Sequence, residues 1–222
     1  MNYIDLENLN KVKQVALARI HAHISGDGDL YTYLHKRSPS SVRTSRSTRP
    51  FRVFIIEYTN NEAKLITEFE NDIKTLFGNQ IYIYKGRNRC QVSRRPLYLL
   101  LRELGAGKSR EWSVPKIIYN SFSLSKEWLR AFFDDEATVE NSKDRHKRIR
   151  VKSVNEDGLE QVRKMISKLG INANITGPNC DKTWYLTVKD FEKYNNLIGF
   201  NHTIKSNKLQ NMVEMRQRGI SG

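Results

Sequence analysis

Ile20-His21-Ala22-His23-Ile24-Ser25-Gly26-Asp27-Gly28 is the first of two versions of one pattern, and Leu129-Arg130-Ala131-Phe132-Phe133-Asp134-Asp135-Glu136-Ala137 follows it 109 residues later. In each, a helical run carries a small residue at its third position (Ala22, Ala131), ends on one acid and passes into strand-like sequence. Upstream of the first copy, Val12, Val15, Ala16, Arg19, Ile20 and His23 recur at helix spacing. Two helices packed through small residues approach closely, and their C-terminal ends then set two carboxylates side by side. Such a pair repels unless a cation lies between its members. A single acid at a helix end is ordinarily a solvated surface group, and it opposes the helix macrodipole. The repetition is what argues for more. His21 and His23, two residues apart, point to different helix faces, so packing or contact with a partner suits them better than metal ligation. A calcium loop starting at Asp27 is excluded, because Thr32 stands where glycine is needed and Ser38 where glutamate is needed.

The 222 residues are enough for a real core, as one large domain or two small ones. With 38 Lys+Arg against 24 Asp+Glu, the net charge of +14 suits a polyanionic partner. The two cysteines, Cys90 and Cys180, fit neither a disulfide framework nor a zinc site, which points to a reducing compartment. No apolar run approaches membrane-spanning length, and no charged-then-apolar leader precedes Met1-Asn2-Tyr3. The expected location is therefore the cytoplasm, or an organelle in a eukaryotic host, without secretion. The Met1 start and Gly222 end lack the Cys or Ser start and His-Asn finish of inteins, so a freestanding protein is expected.

Taken in order, residues 30–36 read as a strand, 37–49 as a Ser/Arg loop and 51–59 as the returning strand. Positions 35–52 hold six Lys/Arg and no acid, including Arg37, Arg43, Arg46, Arg49 and Arg52. A helix with Leu65, Ile66, Phe69, Ile73 and Leu76 on one face follows and closes at Gly78. Residues 80–84 alternate, 85–88 turn, and 89–93 alternate back, with Ile81, Ile83, Cys90 and Val92 on one face. The other face shows Gln80, Tyr82, Tyr84, Arg89, Gln91 and Ser93, with Lys85 and Arg87 in the turn. Arg and Gln are the side chains that read guanine and adenine edges. A helix over 94–104 carries Pro96 in its first turn, and 105–123 is the linker between an N-terminal repeat, 1–104, and a C-terminal repeat, 124–222. Gly107-Lys108-Ser109 is not a phosphate loop, since Arg102 occupies the first glycine position and a helix precedes it.

The second half replays the first: a helix over 124–136, a short strand, a basic tip at 141–147 and a strand over 148–154. Positions 141–152 hold six Lys/Arg (Lys143, Arg145, Lys147, Arg148, Arg150, Lys152) against one acid, Asp144. A helix over 156–169 precedes a hairpin of 171–176 and 183–188, with Asn172, Asn174, Thr183, Tyr185 and Thr187 outward. Helices over 190–197 and 202–218 end the chain.

The twin motifs and the repeated helix-strand-strand-helix-strand-strand-helix order resemble the LAGLIDADG homing endonucleases over residues 11–218. The resemblance implies an α+β fold. Two pseudo-twofold-related αββαββα repeats pack through the motif helices, each with a four-stranded antiparallel DNA-binding sheet. It implies a monomer making a metal-dependent double-strand break with short 3′ overhangs in double-stranded DNA, and so promoting intron mobility. Asp27 and Glu136 then ligate two or three Mg²⁺ ions, with the Gly26 and Asp135 carbonyls as accessory ligands. Three departures stand out: Asp135 replaces a small residue, Ala137 replaces a glycine, and the basic residues that ring the family's active site are not evident. Glu57 and Ser153 hold those places, with Tyr58 and Lys152 beside them, and Lys152 is the candidate for stabilising the phosphate. The same scaffold admits an intron-RNA-binding maturase or a non-catalytic DNA-binding repressor; the two acids favour cleavage.

Overall fold

The computed structural model describes residues 9–36, 50–141 and 147–217. Its first half is α1 (Lys11–Ser25), β1 (Gly28–His35), β2 (Phe51–Thr59), α2 (Ala63–Phe77), β3 (Ile83–Lys85), β4 (Arg89–Ser93) and α3 (Arg95–Glu103). After a short α4 (Lys116–Asn120), the second half repeats that order. It runs α5 (Phe122–Glu136), β5 (Ala137–Asn141), β6 (Lys147–Ser153), α6 (Glu156–Lys168), β7 (Ala173–Thr176), β8 (Trp184–Val188) and α7 (Phe191–Leu197). One more helix, α8 (Thr203–Gln217), follows. The strands form two four-stranded antiparallel sheets, ordered β1-β2-β4-β3 and β5-β6-β8-β7. This is the expected α+β architecture.

Each sheet buries one face under helices. Ile56, Tyr58, Cys90 and Val92 of the first pack on Leu65, Ile66, Phe69 and Ile73 of α2. Ile149, Val151, Leu186 and Val188 of the second pack on Leu159, Val162, Met165 and Ile166 of α6. Each such fully buried aliphatic side chain contributes about 1.5–3 kcal/mol of transfer free energy. The motif helices α1 and α5 pack on each other. Ala18 and Ala22 of α1 join the second half's cluster beside Trp128 and Phe132, whose rings stack at 4.9 Å. Arg19 ties three helices by binding Asp72 of α2 and Glu127 of α5.

Asn10 and Ser121 cap α1 and α5 by accepting backbone N–H bonds from Lys13 and Leu124, satisfying donors that a helix start leaves open. The segment 105–123 is packed in place. Trp112 is buried beside Phe132, the Trp112 carbonyl accepts from Asn155 Nδ2 at 2.7 Å, and Val114 N–H donates to Gln161 Oε1 at 2.7 Å.

Two strands are shorter than their alternation suggests. β3 begins at Ile83, although Ile81 is buried as expected. Gly78, at φ +84°, ends α2, and 79–82 run as turn and bend before pairing starts. β7 likewise starts at Ala173. Among the described residues, no helix is long and apolar enough to cross a membrane.

Candidate active site and nucleic-acid interface

Both motif helices end where their sheets begin. After α1, Gly26 and Asp27 make a two-residue turn into β1. Gly28 must be glycine there, since a Cβ would lie 2.6 Å from the Ile24 Cα. α5 runs to Glu136 and enters β5 without a turn, Ala137 taking extended backbone at φ −84°, ψ 145°. No glycine is needed at that position, and the departure noted in the sequence has this simple cause.

Asp27 is held from the end of β2: Asn60 Nδ2 donates to its Oδ2 at 3.0 Å, and Thr59 Oγ1 donates to its carbonyl at 3.1 Å. Asp27, Thr59, Asn60, Asn61, Asn88, Asp134, Asp135 and His202 line an open cavity of about 380 Å³. Asp27 touches solvent on one side. The protein packed against the other side, then the charge of Asp135, raises its carboxyl to about 6. Glu136 is half-buried; burial first, then the charges of Asp27 and Asp135, raise it to about 7. Glu136 thus feels the charge of Asp27, as one member of a carboxylate pair does.

The extra carboxylate of the second motif turns inward. Asp135 has no solvent-exposed side-chain surface; its Oδ1 accepts from Tyr58 OH at 2.6 Å and Asn60 Nδ2 at 3.3 Å, and its Oδ2 bonds His23 Nδ1 at 2.9 Å. Burial alone would lower His23, but the charge and hydrogen bond of Asp135 raise it above its ordinary value. Asp134 is also buried, and its Oδ1 accepts the Asn201 and His202 N–H groups at 2.9 Å each. Burial raises it to about 7 despite these bonds. His21 is a packing residue: Trp128 Nε1 donates to its Nδ1 at 3.0 Å and its Nε2 meets the Leu104 carbonyl at 3.1 Å. Neither histidine is free to reach a ligand outside.

The positive charge beside the acids comes from an unforeseen place. Lys205, on α8, sets its Nζ 3.3, 2.5 and 3.0 Å from the carbonyls of Phe133, Asp134 and Asp135. Burial lowers it, and Asp135, Asp134, Asp27 and Glu136 act against that. Lys152, the expected phosphate-stabilising residue, is exposed, with its Nζ on Asp181 Oδ2 at 2.7 Å and over the Tyr185 ring. The Asp135 carbonyl, expected as an accessory metal ligand, is one of the three that Lys205 holds. Glu57 faces outward in a network with Tyr31, Gln91 and Arg89, and Ser153 Oγ accepts the Asn155 N–H at 3.1 Å.

The outer sheet faces carry the expected side chains with two exceptions. Tyr82, Tyr84, Arg87, Arg89 and Gln80 are exposed, as are Arg52, Asn172 and Asn174. Gln91 Nε2 donates to Tyr31 OH at 3.1 Å, and Tyr31 OH donates to Glu57 Oε2 at 3.2 Å. On the second sheet Glu140 holds both Arg148 and Arg150, at 2.6 and 2.5 Å, and Arg150 lies over the Tyr185 ring. Lys147 is half-buried at the strand end. Lys85 is the first exception: β3 extends through it, it pairs with Cys90 on the inner side, and its Nζ binds Glu70 Oε2 at 2.8 Å. Thr183 is the second, buried just outside β8 with its Oγ1 donating to Asp181 Oδ1 at 2.5 Å. Lys152 keeps its exposed place opposite Tyr185, paired as Arg148 and Arg150 are. Arg37, Arg43, Arg46, Arg49, Lys143 and Arg145 lie outside the described residues.

Oxygen donors at paired acids suit hard divalent cations. Among the described residues, no three His, Cys, Asp or Glu side chains converge on one metal position. The fitting donor set is therefore sparse: Asp27, Glu136 and the Gly26 carbonyl.

Residues 123–199 match the model of a family described as the LAGLIDADG-like domain. Among solved structures, a complex of I-DmoI with DNA and Mn is similar at 18% identity and TM-score 0.58, covering 85% of this chain and 97% of that one. A double mutant of I-SmaMI is similar at 13% and 0.57, covering 91% and 92%. Full-length DUF199/WhiA from Thermatoga maritima is similar at 15% and 0.55, covering 95% and 64%. A DNA polymerase of Thermococcus sp. (strain GE8) is 24% identical over 136 residues, 61% of this chain. The chain spans only 8% of that relative's length. The resemblance read from the twin motifs is thus borne out by the family model in the second half and by the fold over both halves.

Proposed function

We propose that this two-repeat LAGLIDADG chain is a monomeric, site-specific DNA endonuclease that cuts both strands of a target of roughly 20 bp, leaves short 3′ overhangs and so promotes intron mobility. The observation that carries the reading is the placement of Asp27 and Glu136 at the ends of two packed helices, where the Asp27 charge adds to burial in raising Glu136. Two arginine-bearing sheets extend from those same ends. Solved neighbours named as homing endonucleases are described with target DNA and with Mg, Mn or Ca. Those ligands favour a duplex DNA partner over the RNA-binding alternative.

Asp27 and Glu136, with the Gly26 carbonyl, would hold the divalent ions, with Mg²⁺ the expected one. When bound, such ions activate water and stabilise a leaving oxygen of the phosphodiester. The chain's own groups do the rest. Asn60 fixes the orientation of Asp27, Asp135 locks β2 and α1 to α5 through Tyr58 and His23, and the sheets hold the duplex in register.

A plasmid library carrying random target sites, incubated with Mg²⁺, tests this directly. The wild-type chain is expected to linearise a defined subset of plasmids. Asp27→Asn and Glu136→Gln are expected to abolish double-strand cutting while leaving duplex binding within a few-fold, since each removes a ligand charge without removing volume. Full cutting by either variant would sink the assignment of the acids. Binding with no cutting by the wild type would favour a repressor.

A further inference from the structure

α8 lies beyond both repeats, yet it is fastened to the end of the second motif helix by an exchange in both directions. The Asp134 carboxylate accepts the Asn201 and His202 N–H groups just ahead of α8, at 2.9 Å each. In return, Lys205 sends its ammonium to the Phe133, Asp134 and Asp135 carbonyls at the close of α5, at 3.3, 2.5 and 3.0 Å. A negative group thus meets a helix start and a positive one a helix end, both favourable against the macrodipoles. Two acids that a lone helix end would disfavour, Asp134 and Glu136, are thereby compensated by one cation.

We infer that Lys205 is a resident cation at the end of the second motif helix, a positioning residue that occupies the Asp135 carbonyl and competes with divalent metal at the paired acids Asp27 and Glu136. Among the described residues, the first half-site has no counterpart of this exchange. The Lys205 charge reaches Asp27 as well as Glu136, so the competition bears on both acids of the pair.

This inference rests on the proposed metal-dependent function, and metal binding to the free protein tests it apart from cleavage. Titrate wild type, Lys205→Met, Lys205→Gln and Lys205→Arg with Ca²⁺ by calorimetry, and with Tb³⁺ by sensitised luminescence. Losing a unit charge that repels a divalent cation in a partly buried site should tighten Ca²⁺ binding on the order of tenfold. Lys205→Arg should stay close to wild type. Lys205→Gln keeps a donor for the carbonyls while removing the charge, so it carries the test if Lys205→Met fails to fold. Unchanged or weaker binding in the charge-removed variants would show that Lys205 is only a helix cap, and would overturn the inference. If the wild type binds neither ion, and Asp27→Asn leaves that unchanged, the metal-dependent function itself falls, and this inference with it.

Discussion

Gly26 leaves open the space that the Asp135 side chain fills: a Cβ built on Gly26 would lie 2.9 Å from the Asp135 Cβ and 3.0 Å from its Oδ2. The two motif copies are therefore complementary where they touch, one lacking a side chain and the other supplying it. The residue that breaks the second motif's pattern is accommodated by the residue that keeps the first one's. Gly26→Ala should force the helix ends apart and cost about 1–3 kcal/mol by overpacking. Urea denaturation of the variant checks this, and a midpoint equal to wild type would mean that the helices can shift freely at this point.

Asp135→Ala should cost more, because the carboxylate is the shared partner of Tyr58, Asn60 and His23. Its removal strands a buried hydroxyl and a buried imidazole whose charge the acid supports, a defect of about 3–5 kcal/mol. Asp135→Asn keeps the volume and one acceptor, and should cost roughly 1–3 kcal/mol. A loss below the Asn range for the Ala variant would show that solvent replaces the carboxylate.

How much of this was legible in the sequence follows from the range of the contacts. The motif helices, the paired acids and the span of β2 are written in local periodicity and in a repeat. The partners of the acids are not. Lys205 and Asp135 lie 70 residues apart, and Asn60 and Asp135 75 apart; no spacing rule connects them. Lys205 was visible only as one of several basic residues on the last helix. Lys85 and Thr183 were misplaced because alternation does not mark where a strand stops: β3 continues through Lys85, and β8 starts one residue after Thr183.

Each sheet's outer face holds its arginines with one glutamate. Glu57 Oε2 lies 3.7 Å from Arg89 Nη1, and Glu140 binds Arg148 and Arg150. Such solvent-screened pairs add little stability; their effect is on where the arginine fork points. Glu57→Gln should leave the denaturation midpoint nearly unchanged and alter base preference at one or two positions of one half-site. Glu140→Gln should do the same in the other half-site. Arginine against guanine discriminates by about 1–3 kcal/mol, so the change should be several-fold or more in binding across all single-base variants of the target. An even loss at every position would falsify a base-reading role and leave only phosphate contact.

His21 makes the fold sensitive to acid, with a sign that can be worked out. It is fully buried on α1, accepts from Trp128 Nε1 through Nδ1, and uses Nε2 toward the Leu104 carbonyl. Both bonds suit the neutral ring protonated at Nε2. Burial lowers its pKa to about 4, with the Leu104 bond acting the other way. The folded value is thus below the unfolded value of about 6.5. Between those two, the unfolded chain binds more protons, so His21's contribution is complete above about pH 6.5 and is lost as pH falls toward 4. Over that window the loss approaches about 3 kcal/mol. Asp27, Asp134 and Glu136, all raised, titrate with the opposite sign, so the wild-type curve alone does not isolate the histidine. His21→Gln can donate to the Leu104 carbonyl and accept from Trp128 without titrating. Its stability deficit relative to wild type should therefore shrink as pH drops from 7 to 4 and stay constant below that. Denaturation of both proteins at half-unit pH steps measures the gap. A gap that does not change with pH would show that His21 is solvated enough to charge freely in the folded state.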